Sequence, residues 1–513
     1  MKTLIRKTAL ASVLLSMALC CCSTAQPQPA TSPVVKPQTD ANQLPAKQEP
    51  KQPAKSSWRT AAAPAQPDIV AKIAEYVVTR QELQERLMME LRPYEYEQYN
   101  LTISPPDAKT VLTKMLAEKA MMMEGRRQNL LDDPAIHSAV KRFRDDNLAN
   151  LLLQNYLQDK LTVTESEIEE RIKADPRLDR AQAKTMLERA KANKLVEQYY
   201  SDIYARSHVK KLSDNFAKAA QIHQRLLSYP KVPRNVGWIS NSQINTDLTP
   251  EEKDMVLATY DYGKLTLKDW FVNVCEIVPP RRPTDLNTPK GVERLLDIAL
   301  RLPLFVSEAK LLGLDKDENL VKQVKQQEDS HLLYKVRADK VKDINEPTNE
   351  QIIDYFNKNK EVFITDRTLK LDQIWCQDLM TARKARAELD AGKDFESVRG
   401  LYSLDKKGGY FVASPDSEGI FFQDLWKGEP NQMIGPVKGF YEQGVKWRVV
   451  KILQKNPGKV GEYSSDMKDN IKWKMVGERG NALLENYGKE LLEKYPHEIY
   501  ADRIKDIYPL NIP

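Results

Sequence analysis

TLKLDQIWC, at residues 368–376, is a strand-like run that begins the most informative part of the chain. A helical run, DLMTARKARAELDAGKDFESV, follows at 378–398. The turn-rich LYSLDKKGGYF comes next at 401–411, then GEPNQMIGPV at 428–437. A last strand-like run, GVKWRVVKIL, lies at 444–453. Residues 365–455 are therefore expected to form one small domain of strands and helices.

This order resembles the parvulin family of peptidyl-prolyl cis/trans isomerases. In that family a His before the first strand's Ile-Leu pair faces a second His before the last strand's Ile-Ile-Lys. Here Gln373 precedes Ile374, and Arg448 precedes VVK, with Lys446 open as an alternative for the second position. The resemblance implies an antiparallel four-stranded sheet with helices, in which both active-site His positions are substituted.

Prolyl isomerisation needs no nucleophile, because the X-Pro amide has only to twist over a barrier of about 18–20 kcal/mol. The resemblance implies catalytic positions at Gln373, Ser403, Asp405 and Arg448, and no cofactor or metal. Gln does not titrate and Arg carries a fixed charge, so we expect isomerase catalysis to be weak or lost. A buried Arg448 beside Asp405 would form an ion pair with it.

The resemblance also implies a pocket that grips the proline ring, with apolar walls. Its expected substrate-binding residues are Phe421, Phe422, Trp426 and Met433. The alternative is that these side chains belong to an ordinary apolar core.

The sequence before this domain reads as mainly helical and contains a weak repeat. TRQEL at 79–83 is echoed by TLKDW at 266–270, and TVTESEIEERIK at 162–173 by NEPTNEQIIDYFNK at 345–358, at an offset of about 185 residues. Thr164 with Glu167 and Thr348 with Gln351 predict helix-capping boxes.

This helical block resembles the N-terminal chaperone domain of SurA-like and PrsA-like foldases. The resemblance implies a first helical segment at 68–264, a second at 265–364, the parvulin-like domain at 365–455, and a C-terminal helix and tail at 456–513. The fold class expected is a mainly α-helical chaperone-like domain plus a small α+β parvulin-like domain. SHVKK at 207–211, with His208, reads either as a remnant of a first parvulin unit or as a connector.

The N-terminus predicts export. Lys2, Arg6 and Lys7 precede an apolar run at 8–19, so residues 1–22 read as a signal peptide. Cys20 follows and resembles a lipoprotein acylation site, with Cys21 and Cys22 as alternatives. Residues 23–67 are rich in Pro and Gln and are expected to be a disordered tether. We therefore expect a protein of the periplasm or cell envelope, anchored to the membrane by lipid.

Composition excludes several classes of function. The chain has 78 basic and 72 acidic residues and no basic stripe interleaved with aromatics, so nucleic-acid binding is not expected. No Ser/His/Asp spacing points to a hydrolase. Two cysteines lie beyond the signal, Cys275 and Cys376, and either free thiols or a disulfide remain open.

The expected function is therefore that of an exported folding factor, a peptidyl-prolyl isomerase-like chaperone that binds unfolded or extended client polypeptides. The alternative is a non-catalytic structural subunit of an envelope complex that reuses the fold for interaction. Broad binding of many clients would favour the first, and one tight partner the second.

Overall fold

The computed structural model describes residues 68–92, 104–228, 239–442 and 444–511. The expected signal peptide at 1–22, the candidate lipidation residue Cys20 and the expected tether at 23–67 lie outside the described residues. No helix within the described ranges is both long and apolar enough to cross a membrane.

The described part is mainly helical. Its α-helices, in chain order, are α1 (Arg80–Leu91), α2 (Ala108–Arg127), α3 (Pro134–Leu157), α4 (Glu165–Ala174), α5 (Arg180–Arg206), α6 (Phe216–Ser228), α7 (Asn241–Asp247), α8 (Pro250–Lys253), α9 (Leu267–Glu276), α10 (Pro289–Ala299), α11 (Arg301–Leu311), α12 (Glu318–Val341), α13 (Asn349–Lys358), α14 (Leu379–Asp390), α15 (Phe395–Tyr402), α16 (Pro415–Glu418), α17 (Phe422–Trp426) and α18 (Ser465–Lys494).

The strands form four small antiparallel sheets with the orders β12-β1-β2, β3-β4-β5, β8-β7-β10-β9 and β11-β6. The strands are β1 (Ile69–Ile73), β2 (Tyr76–Thr79), β3 (Lys210–Lys211), β4 (Val256–Tyr260), β5 (Gly263–Thr266), β6 (Ile364–Thr365), β7 (Thr368–Cys376), β8 (Phe411–Ala413), β9 (Met433–Tyr441), β10 (Gly444–Asn456), β11 (Lys459–Val460) and β12 (His497–Ile499). The predicted fold class, a helical domain plus a small α+β domain with a four-stranded antiparallel sheet, is confirmed.

The chain divides into two compact units whose limits differ from the segments read off the sequence. Among the described residues, one unit is continuous and holds 133–328; we call it the continuous unit. The other is assembled from 68–132 and 329–511; we call it the split unit. The sequence repeat placed a boundary near 264, whereas the compact units change at 132 and 328, because each unit combines pieces of both repeat copies.

The same pairing of elements appears in both units, although the long helix precedes the hairpin in the continuous unit and follows it in the split unit. A hairpin leads into a helix capped by Thr79 in the split unit and by Thr266 in the continuous unit, each in a capping box. The predicted capping boxes of Thr164 and Thr348 are also confirmed, at the starts of α4 and α13. In each unit a long helix, α5 or α18, leads into a strand that pairs with the first strand of the hairpin.

A buried glutamate holds the end of that long helix in each unit. In the split unit Glu124 of α2 accepts hydrogen bonds from Lys494 at 2.7 Å and from Tyr495 at 2.8 Å, at the end of α18. In the continuous unit Glu308 of α11 pairs with Arg206 at the end of α5, at 2.6 Å. The C-terminal helix therefore packs onto the N-terminal elements within the split unit.

The apolar cores follow from these pairings. The continuous unit has one large core, centred on fully buried Trp270 and Phe271 of α9. Its helix at 289–311 breaks at Leu300, three residues before Pro303, because a proline removes one backbone donor and clashes with the preceding turn. In the split unit, the hairpin, α1 and α2 share a core with α18, and each face of the four-stranded sheet has its own cluster.

The segment read as a parvulin remnant takes part in the continuous unit. β3 pairs with β4 in the three-stranded sheet, and α6 contributes Phe216, Ala220 and Leu226 to the core. His208 is exposed, and its Nδ1 lies 2.9 Å from a carboxylate oxygen of Asp261. The residues at 229–238 lie outside the described ranges.

Candidate functional site

The four-stranded sheet brings Gln373 and Arg448 onto the same face. Arg448 of β10 stands opposite Trp375 of β7, and Val450 stands opposite Gln373. Successive residues of a strand point to opposite faces of the sheet. Ile374 belongs to the apolar cluster that packs against α14 on one face of the sheet. Gln373, Trp375 and Arg448 therefore lie on the opposite face.

Arg448 is fully buried, and its guanidinium contacts an amide, a carboxylate and an aromatic ring. Its Nη1 donates to Gln373 Oε1 at 2.9 Å and to Glu418 Oε1 at 3.2 Å, and its Nη2 donates to Glu418 Oε2. The guanidinium carbon lies 4.6 Å from the centroid of the Trp375 ring, in a cation–π contact. Glu418 is itself buried, at 4% exposure. At the two positions that the sequence resemblance matched to the His pair, the structure has an amide and an arginine in a buried ion pair.

The carboxylate that pairs with Arg448 is that of Glu418, which replaces the expected partner Asp405. Asp405 is exposed, and its carboxylate accepts from the backbone N–H of Lys407 at 2.9 Å. Glu418 comes at the end of α16, a single turn that Ser414 caps. In the sequence, Glu418 is marked only by its place directly before the apolar run GIFF, and Asp416 two positions earlier is an equal candidate.

Ser403 has a local structural role. It is buried, and its Oγ accepts from the backbone N–H of Trp375 at 3.3 Å. The next residue, Leu404, donates its backbone N–H to the Trp375 carbonyl at 2.7 Å. This turn therefore covers the backbone of β7 beyond the point where β8 ends.

Strand β9 packs closely against the guanidinium of Arg448 and limits where it can lie. A Cβ added at Gly439 would lie 2.5 Å from Arg448 Cζ, so glycine is required there for the guanidinium to fit. Arg448, and not the alternative Lys446, is the residue of the last strand that donates a hydrogen bond to Gln373.

The four expected pocket residues fall into three different clusters. The rings of Phe422 and Trp426 stack with their centroids 5.5 Å apart, in the cluster on the Gln373 face. Phe421 packs instead against Phe440, at 4.9 Å, in the core of the hairpin and α2. Met433 packs on the opposite face of the sheet. The structure therefore brings two of the four side chains together, near the sheet's Gln373 face.

A second buried arginine lies on the opposite face, and the sequence held no clear sign of it. Arg399 of α15 is 1% exposed and forms an ion pair with Asp372 of β7. Its guanidinium also lies 5.3 Å from the ring centroid of Phe395. Each face of the four-stranded sheet thus carries an ion pair formed by a buried arginine and a carboxylate. Each pair stabilises the domain only while both partners remain.

Two groups of the four-stranded sheet have pKa values above their usual range, whereas Gln373 itself has no ionisable group. Burial raises the pKa of the Tyr441 hydroxyl, whose ring lies 5.2 Å from that of Trp375, and the carboxylates of Glu442 and Asp405 add to the effect. Burial also raises the pKa of the Cys376 thiol to about 11. Cys275 and Cys376 are both free thiols.

No group of three or more His, Cys, Asp or Glu residues within the described part of the chain is arranged to hold a metal ion. The arrangement buries its charged hydrogen-bonding groups against one another, so the sheet can present apolar side chains to a peptide. It offers no neutral imidazole pair next to a twisting amide.

The chain is similar to several solved structures of chaperones and foldases. One belongs to the SurA-like chaperones PEB4 and Cj1289 of Campylobacter jejuni, with 14% identity, a TM-score of 0.22, and coverage of 52% of this chain and 97% of that chain. PrsA of Streptococcus pneumoniae matches with 16% identity, a TM-score of 0.21, and coverage of 37% and 72%. The peptidylprolyl isomerase PrsA of Bacillus cereus matches with 18% identity, a TM-score of 0.21, and coverage of 50% and 98%.

No protein-family model and no curated protein matches the chain. The identities and TM-scores of the structural matches are too low to assign the chain to a family.

Proposed function

We propose that the chain is an exported folding factor of the SurA/PrsA-like foldase family, whose parvulin-like domain binds client polypeptides with little or no isomerase catalysis. The single observation that carries the proposal is the network of Gln373, Arg448 and Glu418, in which Gln373 and Arg448 are the two residues that the sequence resemblance matched to the family's His pair. The expected localisation in the cell envelope and the lipid anchor at Cys20 are part of the same proposal.

The chemistry of the network supports lost catalysis. Catalysis of prolyl rotation needs groups that favour the twisted amide over the planar one. Arg448 directs its donors to Glu418 and Gln373. Donors that are already bound inside the protein are not available to a substrate amide, and a buried ion pair is costly to open.

The surface around the network supports client binding. Several large apolar side chains of the parvulin-like domain are well exposed, although Met and Leu side chains are mostly buried in folded proteins. These exposed residues are Leu404, Tyr410, Phe411 and Val412, on β8 and just before it. An exposed apolar patch of this kind is a common mark of a surface that binds polypeptides.

The isomerase part of the proposal is tested by prolyl cis/trans exchange in a short X-Pro peptide, measured by NMR. The unmodified protein is expected to give no acceleration. A Gln373→His/Arg448→His variant would leave Glu418 beside a new imidazole, which a nearby carboxylate would hold protonated. The informative variant is therefore Gln373→His/Glu418→Gln/Arg448→His, with an exposed Gln377→His/Lys393→His variant of the same domain as control.

Each outcome of this test has a meaning. Acceleration by the unmodified protein would refute the loss of catalysis. Acceleration by the triple variant alone, and none by the exposed His control, would show that the ion-pair network had replaced a working site.

The client-binding part is tested by aggregation of chemically unfolded proteins of unrelated sequence. A folding factor is expected to slow the aggregation of several such clients. A chain that slows none of them, and instead copurifies with one tight partner, would be the structural subunit considered above.

A further inference from the structure

Strand β8 lies at an edge of the four-stranded sheet. The sheet order is β8-β7-β10-β9, so β8 pairs with β7 on one side and with no other described strand on its second side. An edge strand presents a row of backbone N–H and C=O groups that an added strand can pair with. Proteins commonly protect such edges with charged side chains, bulges or a covering element.

This edge carries apolar side chains on both of its faces. Tyr410, just before the strand, is 64% exposed, and Phe411 and Val412 are 40% and 51% exposed. Ala413 belongs to the cluster on the Gln373 face, so Phe411, two residues earlier, points to that same face. Val412 points to the other face. A strand added here would gain apolar contacts on both sides of the sheet.

The charges at the start of the strand are positive in balance. Lys370 of β7 holds its Nζ 3.8 Å from the centroid of the Tyr410 ring, and Lys406 and Lys407 lie exposed just before the strand. Arg399 pairs with both Asp372 and Glu396, so it offsets one of their two negative charges, and Asp405 adds another. The three lysines outweigh these carboxylates, whereas the exposed Asp416 follows the other end of the strand. An acidic residue at the end of an added strand that meets the lysines would therefore complement this surface.

We propose that the edge of β8 binds an extended segment of a client polypeptide, apolar in its middle and acidic at the end that meets Lys406 and Lys407, as an added β-strand. This inference rests on the proposed function of client binding and names the class of segment bound. Backbone pairing suits a protein with varied clients, since the hydrogen bonds do not depend on client side chains.

The length of β8 limits the strength of this contact. The strand has three residues, so an added segment can form only a few backbone hydrogen bonds. Three residues also limit edge-to-edge aggregation of the protein itself, because short edge strands are poor templates. Weak pairing with fast release is what transient client binding requires.

The test measures binding of a fluorescein-labelled peptide of alternating Val and Thr, with Glu at both ends, to the full chain by fluorescence anisotropy. N-methyl groups are placed on the peptide backbone one position at a time. Strand addition predicts about tenfold weaker binding for alternate positions only, since every second N–H of a strand faces its neighbour. The same peptide with Lys ends is expected to bind more weakly, and that difference should shrink at high salt.

The protein side is tested with Tyr410→Ser/Val412→Asp, whose side chains are exposed and not required by the core. This variant should bind the peptide about tenfold more weakly, because it loses cross-strand contacts and repels the acidic ends. The matched control is Met380→Ser/Leu401→Ser, which removes two equally exposed apolar side chains from α14 and α15 of the same domain. The control should stay within about twofold of the unmodified chain.

Equal losses at every N-methyl position, or at none, would overturn strand addition, as would unchanged peptide binding by the Tyr410→Ser/Val412→Asp variant. In those cases the aggregation assay still judges the proposed function separately. A chain that slows aggregation but shows no alternating N-methyl pattern keeps its function and loses this site. A chain that neither binds the peptide nor slows aggregation refutes both.

Discussion

Substitution of Glu418 by Gln should destabilise the parvulin-like domain far more than its small change in shape suggests. Gln keeps the size of the side chain but removes the charge that neutralises Arg448. Arg448 is fully buried and Glu418 is 4% exposed, so solvent cannot replace the lost charge. Breaking a buried pair by removing one partner costs about 3–5 kcal/mol. Because Gln still accepts one hydrogen bond, we expect the lower end, about 3 kcal/mol.

The assay is hydrogen exchange of the full chain, followed by mass spectrometry of peptides from β7 and β10. A loss of about 3 kcal/mol in local opening free energy corresponds to exchange more than about a hundredfold faster. The control is Glu429→Gln, the same chemical change in the same domain, at an ion pair with Lys455 in which Glu429 is 70% exposed. Exposed pairs contribute little, so the control should change exchange by less than about fivefold.

One further variant separates charge from packing. Replacing both partners with apolar residues, Glu418→Leu/Arg448→Met, should restore much of the protection, since buried pairs can often be exchanged for apolar side chains at little cost. If Glu418→Gln exchanges no faster than Glu429→Gln, then Arg448 does not depend on Glu418 and the reasoning for a locked site is wrong.

Three further predictions concern other buried groups. The contact with Arg127 holds the pKa of Glu124 well below its usual range, so its stabilisation is present above the ordinary Glu pKa and lost as the pH falls below it. Glu124→Gln should therefore lower the melting temperature at pH 7 and reduce its drop at pH 3; an unchanged drop would contradict this. Burial lowers the pKa of His223 to about 4, so the chain should lose stability between about pH 6.5 and pH 4, by roughly 3 kcal/mol. His223→Phe should flatten that part of a pH–stability profile measured by urea unfolding, and a parallel profile would refute the assignment. Gly439→Ala should displace the Arg448 guanidinium and speed hydrogen exchange in β9 and β10, whereas unchanged exchange would show that the strand absorbs the methyl group.

The sequence predicted which segments form helices and strands better than it predicted which of them pack together. Capping boxes at Thr164 and Thr348 were readable because the helix-start pattern is local. The strand runs around Gln373 and Arg448 were readable for the same reason. The division into a continuous and a split unit was not, because it depends on which repeat half packs with which, and a periodic apolar pattern is the same for either choice.

The candidate site shows the same limit. The sequence placed Gln373 and Arg448 at matching points of two strands, and the structure brings the two side chains into contact. It could not identify Glu418 as the ion-pair partner of Arg448. The two residues are 30 positions apart in the sequence, and Glu418 lies on α16, which is a single helical turn. Phe421 and Phe422 are neighbours in sequence and yet enter different cores, because the chain turns between them.

The split unit sets an order of events for a chain that emerges from its N-terminus, whether at the ribosome or on the far side of a membrane. Of the described residues, 68–132 emerge first, yet Ile69 is bound by Arg503, a residue 434 positions later. The continuous unit is complete once residue 328 has emerged, while the first hairpin and α2 still lack α18 and β12. Contacts of such long sequence separation form slowly. We expect the continuous unit to fold first, and the apolar residues of the first hairpin to stay exposed until α18 and β12 have emerged.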